Sequence, residues 1–379
     1  MGALAERLDS GVVAGLVADP GASREALYEA ARPGRLHVLL ASAWELEGGP
    51  VPPQARDELE FWRRQMTAYA DVFAGLATLG LSAQKGPQLA RLYPRGWLRQ
   101  STDLDLFAAG RAPVWDAART LVADGWEVAA LTVLVAEGEP GVTVEVARPS
   151  DRPDLLREQK VELASLAFAG NQLGVPAVRT LGNDVPAESP VHQLVTLVEE
   201  RFQRPFRDRD VLDAALLLEE MGDGERALLA AVLDSTRLWP EWRELRAWIV
   251  RAALLDAAEV PPAPLRAVAA ARARRARTVA VRAREPATWA WLLASDDDPG
   301  RGRAALAALL ERRVPVGRVL ARGYAAYGVP VALGQPSAAD LAIVRRDGDL
   351  VAETPLGTFL LTYAAAVDES RVAALAAAV

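Results

Sequence analysis

The pattern of apolar and polar residues divides the chain into a helical first part, a short α/β stretch and a second helical part. Apolar residues recur at helical spacing over 54–79, which predicts one long amphipathic helix that ends at Gly80. The same spacing predicts an earlier helix over 35–47. After Gly80 the spacing changes to the period of two that is typical of strands.

Residues 81–148 predict a compact unit in the order β-α-β-α-β-β. Gly and Pro residues separate its elements, and the two last strands are joined by the turn of 137–141. The predicted elements are a strand at 81–84, a helix from 85 to about 93, a strand at 103–107, a helix at 112–123, and strands at 126–135 and 142–146. Two helices and several strands in this order predict a small mixed sheet.

The remainder of the chain is predicted to be mostly helical. Helix-like patterning covers 155–168, 191–202, 211–221, 225–233, 242–258 and 265–281, and a last helix is predicted from Glu369. Asp347-Gly348 between two apolar runs predicts a β-hairpin at 341–351. We therefore expect an α+β protein with four parts: a helical region 1–80, the α/β core 81–150, a helical domain 151–260, and a helical C-terminal region 261–379 that carries the hairpin.

Composition limits the possible kinds of functional site more than it limits the possible folds. The formal net charge of −7 argues against a protein that coats nucleic acid or an anionic membrane. Cysteine is absent and only His37 and His192 are present, so any metal site has to be built from carboxylates. The first 30 residues show no signal-peptide pattern, and no run of about 18 apolar residues is present. We expect a cytoplasmic protein without a membrane partner.

The strand at 103–107 carries the strongest chemical signal. Side chains alternate along a strand, so Asp103 and Asp105 share one face while Leu104 and Leu106 share the other. Two carboxylates about 7 Å apart repel each other by about 2 kcal/mol at an effective dielectric of 20. Mg²⁺ bound to both would remove that repulsion. The alternative is an edge strand with a polar face and no ligand.

Neighbouring residues favour a site for a metal and a phosphate. Lys85-Gly86 lies at a predicted helix start, where free N–H groups attract phosphate. Arg99, four residues before Asp103, can reach the same phosphates. Glu145 is flanked by Val144 and Val146, so it converges with the two aspartates if its strand lies beside theirs. Three acids suit two divalent ions in a displacement at phosphorus.

In this order the motifs resemble the uncharacterised nucleotidyltransferase-like family of the DNA polymerase β-like superfamily. Its members have Lys-Gly after a long helix and a short strand, then Leu-Tyr-Pro, then Arg-x-x-x-Asp-Ile-Asp, and later a strand such as Val-Glu-Leu-His-Trp. The corresponding pieces here are Lys85-Gly86, Leu92-Tyr93-Pro94, Arg99 to Asp105, and Val144-Glu145-Val146. The resemblance covers residues 30–225. Ala147-Arg148 replaces the His-Trp pair.

The resemblance implies a polymerase-β-like core embedded in helices and an enzyme that moves an NMP from an NTP to an acceptor. Asp103 and Asp105 would hold Mg²⁺ (or Mn²⁺) on the triphosphate, and Glu145 would complete the second metal site and help to deprotonate the acceptor hydroxyl. Lys85, Gly86, Arg99, Ser101 and Thr102 would bind the nucleotide, and the domain 151–260 would complete the cleft. The acceptor, whether a small molecule, a peptide or protein, or RNA, stays open.

Two further hypotheses remain. The first is a binding or scaffold protein of the same fold that has lost catalysis. The second is a nucleic-acid binder that uses the basic run Arg272–Arg284, which otherwise forms a solvated helix face. Similarly, Arg207, Arg209 and Asp210 either line the nucleotide cleft or form ion pairs on a helix surface.

Overall fold

The computed structural model of the protein describes residues 3–17, 21–181, 185–294, 313–363 and 369–377. In these ranges the chain is α+β, with one open mixed sheet and two main apolar cores. No helix in the described part combines the length and the apolar character that a bilayer span requires.

Five helices precede the first strand in the described ranges. They are α1 (Ala3–Arg7), α2 (Ser10–Gly15), α3 (Arg24–Ala30), α4 (His37–Leu46) and α5 (Pro53–Leu76). The predicted long amphipathic helix is confirmed by α5, which buries Phe61, Trp62 and Tyr69. A 3₁₀ turn follows it, and Gly80 ends the segment in the left-handed conformation with φ 72°.

The predicted order of elements between 81 and 148 is confirmed. The elements are β1 (Ser82–Gln84), α6 (Gly86–Ala90), β2 (Asp103–Phe107), α7 (Arg111–Ala123), β3 (Glu127–Ala136) and β4 (Glu139–Pro149). α6 ends at Ala90, a few residues before the end predicted near Tyr93, and Pro94 and Gly96 lie beyond it. The local signals of turns, caps and alternation were therefore sufficient in this stretch.

The helix predicted over 155–168 is wrong, because Glu158–Ala164 forms a strand, β5. Val161 and Leu163 are buried while Glu162 between them is exposed, which is the alternation of a half-buried strand. β5 pairs in parallel with β2 and antiparallel with β4. It therefore lies between the two strands that the sequence had suggested as neighbours.

The sheet has nine strands in the described residues, in the order β1-β2-β5-β4-β3-β6-β9-β8-β7. The last four are β6 (Ala326–Leu333), β7 (Ala342–Arg346), β8 (Asp349–Thr354) and β9 (Gly357–Thr362). β7 and β8 confirm the hairpin, with Asp347 and Gly348 at φ 49° and 92°. Because β6 pairs with β3, the sheet continues from the predicted core into the C-terminal region and is larger than the small sheet we expected.

The other described helices pack as a layer beside the sheet or against its face. They are α8 (Pro190–Glu199), α9 (Asp208–Glu220), α10 (Asp223–Ser235), α11 (Trp239–Arg251), α12 (Leu265–Arg282), α13 (Pro286–Ala294), α14 (Val316–Leu320) and α15 (Glu369–Ala376). The N-terminal helices share one apolar core with α8–α12, and the sheet shares a second core with α7. A cleft lies where the helical layer meets β2 and β5.

Candidate functional site

The cleft has a volume of about 270 Å³ and a lining that is almost wholly polar and charged. Three acids of the sheet, Asp103, Asp105 and Glu162, line it together with arginines from the turn before α4 and from the segment around the start of α9. Those arginines are Arg35, Arg204, Arg207 and Arg209. Lys85, Glu200 and Asp210 line the cleft as well, so charges of both signs are available to a ligand that carries a cation and an anion.

β2 presents its two aspartates as the sequence predicted. Leu104 and Leu106 are buried in the sheet core, while Asp103 and Asp105 point into the cleft. Burial raises the pKa of Asp105 to about 6, and repulsion from Asp103 adds to that shift while Lys85 opposes it. The two carboxylates therefore repel each other, and a bound cation would reduce that repulsion.

Glu162 is the third acid beside this pair, and sequence analysis missed it. In the register of the sheet, Glu162 lies directly opposite Asp105 on β2 and opposite Glu145 on β4. Its side chain is open to the cleft, yet loss of hydration between the walls, together with the charge of Asp105, raises the pKa of Glu162 to about 8. A signal for Glu162 was present in the sequence, because Val161-Glu162-Leu163 matches the start of the Val-Glu-Leu-His-Trp strand of the family that the motifs resemble.

Glu145 lies one strand further from the aspartates. Adjacent strands are about 4.8 Å apart, so Glu145 is about 10 Å across the sheet from Asp105. It is not among the residues that line the cleft, and its Oε1 accepts a hydrogen bond of 2.8 Å from Nζ of Lys160. The predicted convergence required β4 to lie next to β2, but β5 lies between them. The catalytic and metal-binding role of Glu145 stays an untested prediction.

Lys85 connects the two sides of the cleft. Its Nζ lies 3.3 Å from Oδ2 of Asp105 and also contacts the carboxylate of Glu200. Burial would lower the pKa of Lys85, but the two carboxylates raise it. The residue adopts φ 53° and ψ −119°, and its backbone N–H donates to Oε1 of Gln193. The predicted Lys85-Gly86 motif thus brings an ammonium group to Asp105, and Gly86 begins the short α6.

Arg99 lies deeper than expected. Its Nε and Nη2 donate to Oδ1 and Oδ2 of Asp213 at 2.9 and 2.7 Å, and the hydroxyl of Tyr93 donates to the same carboxylate at 2.6 Å. Arg99 lines the cleft, as do Ser101 and Thr102. The Leu-Tyr-Pro and Arg-x-x-x-Asp motifs therefore meet at one buried ion pair at the base of the cleft.

The residues at the start of α9 are part of the cleft and not of an outer helix surface. Arg207, Arg209 and Asp210 all line it. Asp210 accepts a hydrogen bond of 2.6 Å from Arg204, and Nη1 of Arg209 donates to the carbonyl of Gln100 at 2.7 Å. Burial, with the charge of the nearby Arg99, lowers the pKa of Arg209 to about 10.

A metal ion fits this site only together with phosphate. Within the described ranges, no three His, Asp or Glu side chains are close enough to hold a metal ion by themselves. Mg²⁺ does not require such a cage, because it commonly uses one or two carboxylates and completes its shell with phosphate oxygens and water. Asp103 and Asp105 offer that donor set, since both open into a polar cleft.

Three of the six arginines in the basic run Arg272–Arg284 make contacts within the protein. Arg274 pairs with Asp234 at 2.7 Å, and Arg275 pairs with Glu241. Arg282 donates to the carbonyl of Gln172 and lies over the ring of Tyr324. These contacts tie α12 to α10, to α11 and to the loops that follow β5 and precede β6. They weaken the hypothesis that this run is a surface for nucleic acid.

No family model, curated protein or solved structure matches this chain. The family resemblance therefore stays a prediction from the motifs, and the function has to be argued from the cleft.

Proposed function

We propose that the protein is a metal-dependent nucleotidyltransferase that moves an NMP from an NTP to an acceptor hydroxyl or phosphate and releases pyrophosphate. One observation carries this proposal: paired aspartates on β2 and a group of arginines line the same polar cleft. A metal-bound nucleotide has this same division of charge.

Each wall would have its own task. Asp103 and Asp105 would hold Mg²⁺ or Mn²⁺ with the phosphate oxygens, and a bound metal neutralises charge that develops on those oxygens. Glu162 would take the proton of an acceptor hydroxyl, the role that sequence analysis gave to Glu145, because Glu162 is the acid next to Asp105. Lys85 would leave Asp105 for a phosphate when the metal enters.

One observation favours the alternative of a catalytically inactive nucleotide-binding or scaffold protein. The ammonium of Lys85 contacts Asp105, one of the two carboxylates that the metal needs. If this contact persists when nucleotide is bound, the cleft would hold a nucleotide without activating it.

The test is to incubate the protein with each α-labelled NTP, Mg²⁺ or Mn²⁺, and a lysate of its host, and to identify what becomes labelled. Asp103→Asn should abolish labelling and pyrophosphate release. Asp116→Asn changes an exposed aspartate of α7 outside the cleft and should have no effect. Labelling that survives Asp103→Asn would contradict the proposal, and nucleotide binding without pyrophosphate release would favour the alternative.

A further inference from the structure

We infer that Arg35 and Arg207 form a docking site for the terminal phosphates of a linear triphosphate, on the wall of the cleft that faces the aspartates. The inference deepens the proposed function, on which it rests for the identity of the ligand as an NTP. It adds Arg35, which sequence analysis did not name, and it gives a role in phosphate binding to Arg207, which sequence analysis named only as a residue of the cleft or of a surface ion pair.

The first argument is the balance of charge around each cation of the cleft. Lys85 is paired with Asp105 and Glu200, and Arg204 is paired with Asp210 and Glu200. In contrast, Arg35 and Arg207 have no carboxylate within ion-pair distance in the described part of the chain. The one hydrogen bond from the Arg35 guanidinium goes to Oγ1 of Thr102, at 3.2 Å.

These two guanidiniums also face other positive charges. Burial, and then the charges of Arg35 and Arg204, lower the pKa of Arg207, while Asp210 and Glu200 partly oppose this shift. Burial also lowers the pKa of Arg35, and Arg204 adds to this shift while Asp103 opposes it. Like charges held together in a partly desolvated wall are destabilising until an anion joins them. A triphosphate carries enough negative charge to join both residues.

The second argument is that hydrogen-bond donors at the base of the cleft are unused. Nη1 of Arg99 and Nε of Arg209 are buried and have no hydrogen-bond partner among the described atoms. Both side chains line the cleft, and they are only 4% and 7% exposed. Buried donors of charged groups are usually satisfied by a protein atom, a water or an ion, and a phosphate in the cleft would satisfy these two.

The third argument is that the backbone holds the two arginines together. The N–H of Arg209 donates to the carbonyl of Gly34 at 3.1 Å, which ties the turn before α4 to the start of α9. The N–H of Arg207 donates to Oδ2 of Asp210 at 2.8 Å. Arg35 and Arg207 thus extend from two segments that are fixed to each other, and a binding site of this kind does not have to be assembled by the ligand.

The arrangement implies selection by phosphate chain length. The α-phosphate would lie near Asp103 and Asp105, and the terminal phosphates would extend toward Arg35 and Arg207. A monophosphate carries less charge and fewer oxygens for these two guanidiniums, so it should bind more weakly than a triphosphate.

The experiment measures binding of inorganic tripolyphosphate and of orthophosphate by calorimetry, in EDTA, to the full chain. Wild type should bind tripolyphosphate more tightly than orthophosphate. Arg207→Gln and Arg35→Gln should each weaken tripolyphosphate binding about tenfold or more, the usual effect of losing a charged hydrogen-bond donor. Arg266→Gln, which removes an exposed arginine of α12 outside the cleft, should bind as wild type does.

Arg207 makes a suitable variant because no side-chain hydrogen bond or ion pair of Arg207 is present in the described residues, and thermal unfolding should show an intact fold. The inference is overturned if wild type does not bind tripolyphosphate, or if both variants bind it as wild type does. The assay contains no metal and no acceptor, so a protein that fails to transfer nucleotides can still pass it. Conversely, transfer activity with unchanged tripolyphosphate binding in both variants would contradict this inference alone.

Discussion

Asp105 on β2 and Glu162 on β5 are register partners on two adjacent parallel strands, and both side chains open into the same cleft. Their backbones are about 4.8 Å apart, so the two carboxylates repel each other. This explains why the charge of Asp105, after loss of hydration, contributes to raising the pKa of Glu162 to about 8. The acid next to the aspartates is therefore Glu162, while Glu145 is bonded to Lys160.

This relationship predicts different effects for two matched substitutions. Glu162→Gln should lower the rate of nucleotide transfer about 100-fold or more, the usual effect of losing a general base. Glu145→Gln should leave the rate close to that of wild type, because Glu145 does not line the cleft. The measurement is pyrophosphate release with the NTP and lysate that support labelling. A larger loss in Glu145→Gln than in Glu162→Gln would restore the original assignment.

The position of Glu162, which sequence analysis did not consider, shows what the sequence alone could not determine. Alternation placed Asp103 and Asp105 on one face, because that inference needs only the period of a strand. Which strand lies beside β2 depends on pairing between distant segments, and local patterns do not encode it. The apolar run of 155–168 matched a helix as well as a strand, and short apolar runs are ambiguous in this way.

The meeting of Arg35 and Arg207 in the cleft could not be predicted for a related reason. Arg35 and Arg207 are 172 positions apart, and they meet only because the turn before α4 packs on the start of α9. In the same way, β6 and β9 joined the sheet by pairing with distant strands. In contrast, the hairpin of β7 and β8 was predictable, because Asp347-Gly348 is a local turn signal.

The buried pair of Arg99 and Asp213 predicts a large loss of stability when one partner is removed. Arg99 is 4% exposed and Asp213 is fully buried, so Asp213→Asn leaves a buried cation without its carboxylate. We expect the free energy of unfolding to fall by about 3–5 kcal/mol in urea titrations.

The double variant Arg99→Met, Asp213→Leu provides the control for this pair. It removes both charges and should lose less stability than Arg99→Met alone and Asp213→Leu alone lose in sum. Asp116→Asn removes an exposed aspartate and should change the stability little. Additive losses in the double variant would show that the two residues do not stabilise each other.

The close packing of Gly34 against Asp208 predicts that a substitution here changes both the stability of the protein and the shape of the cleft. A Cβ at this position would collide with the carboxylate oxygen of Asp208 and lie 3.0 Å from its Cγ. Gly34→Ala should therefore cost about 1–3 kcal/mol through overpacking and shift the turn that carries Arg35. Thermal unfolding checks the stability, and tripolyphosphate binding checks the turn.

Asp208→Ala tests the cause of the Gly34→Ala defect. Added to Gly34→Ala, it removes the colliding carboxylate and should restore part of the lost stability. Gly75→Ala is the matched control, because a Cβ at Gly75 of α5 meets no atom within 4 Å. If Gly34→Ala is as stable as Gly75→Ala, the contact between the turn and α9 is looser than the structure indicates.

The hydrogen bonds of Glu58 predict how the stability of the N-terminal helices depends on pH. Its carboxylate accepts hydrogen bonds from Tyr28 at 2.7 Å, Arg32 at 2.9 Å and His37 at 3.0 Å. Burial alone would raise the pKa of Glu58, but these hydrogen bonds lower it from 4.5 to about 2. The folded state thus releases this proton more readily than the unfolded state. The stabilisation is present above pH 4.5 and is lost as the pH falls from about 5 to 2.

The measurement compares the free energy of unfolding of wild type and Glu58→Gln between pH 7 and pH 3. Glu58→Gln should be less stable at pH 7, on the order of 3 kcal/mol, and the difference from wild type should shrink as the pH falls. Glu60→Gln, which changes an exposed neighbour on the same helix, should keep the pH dependence of wild type. A difference between Glu58→Gln and wild type that stays constant over this range would mean that the three donors do not depress the pKa of Glu58, because a shifted pKa must appear as a pH-dependent stability.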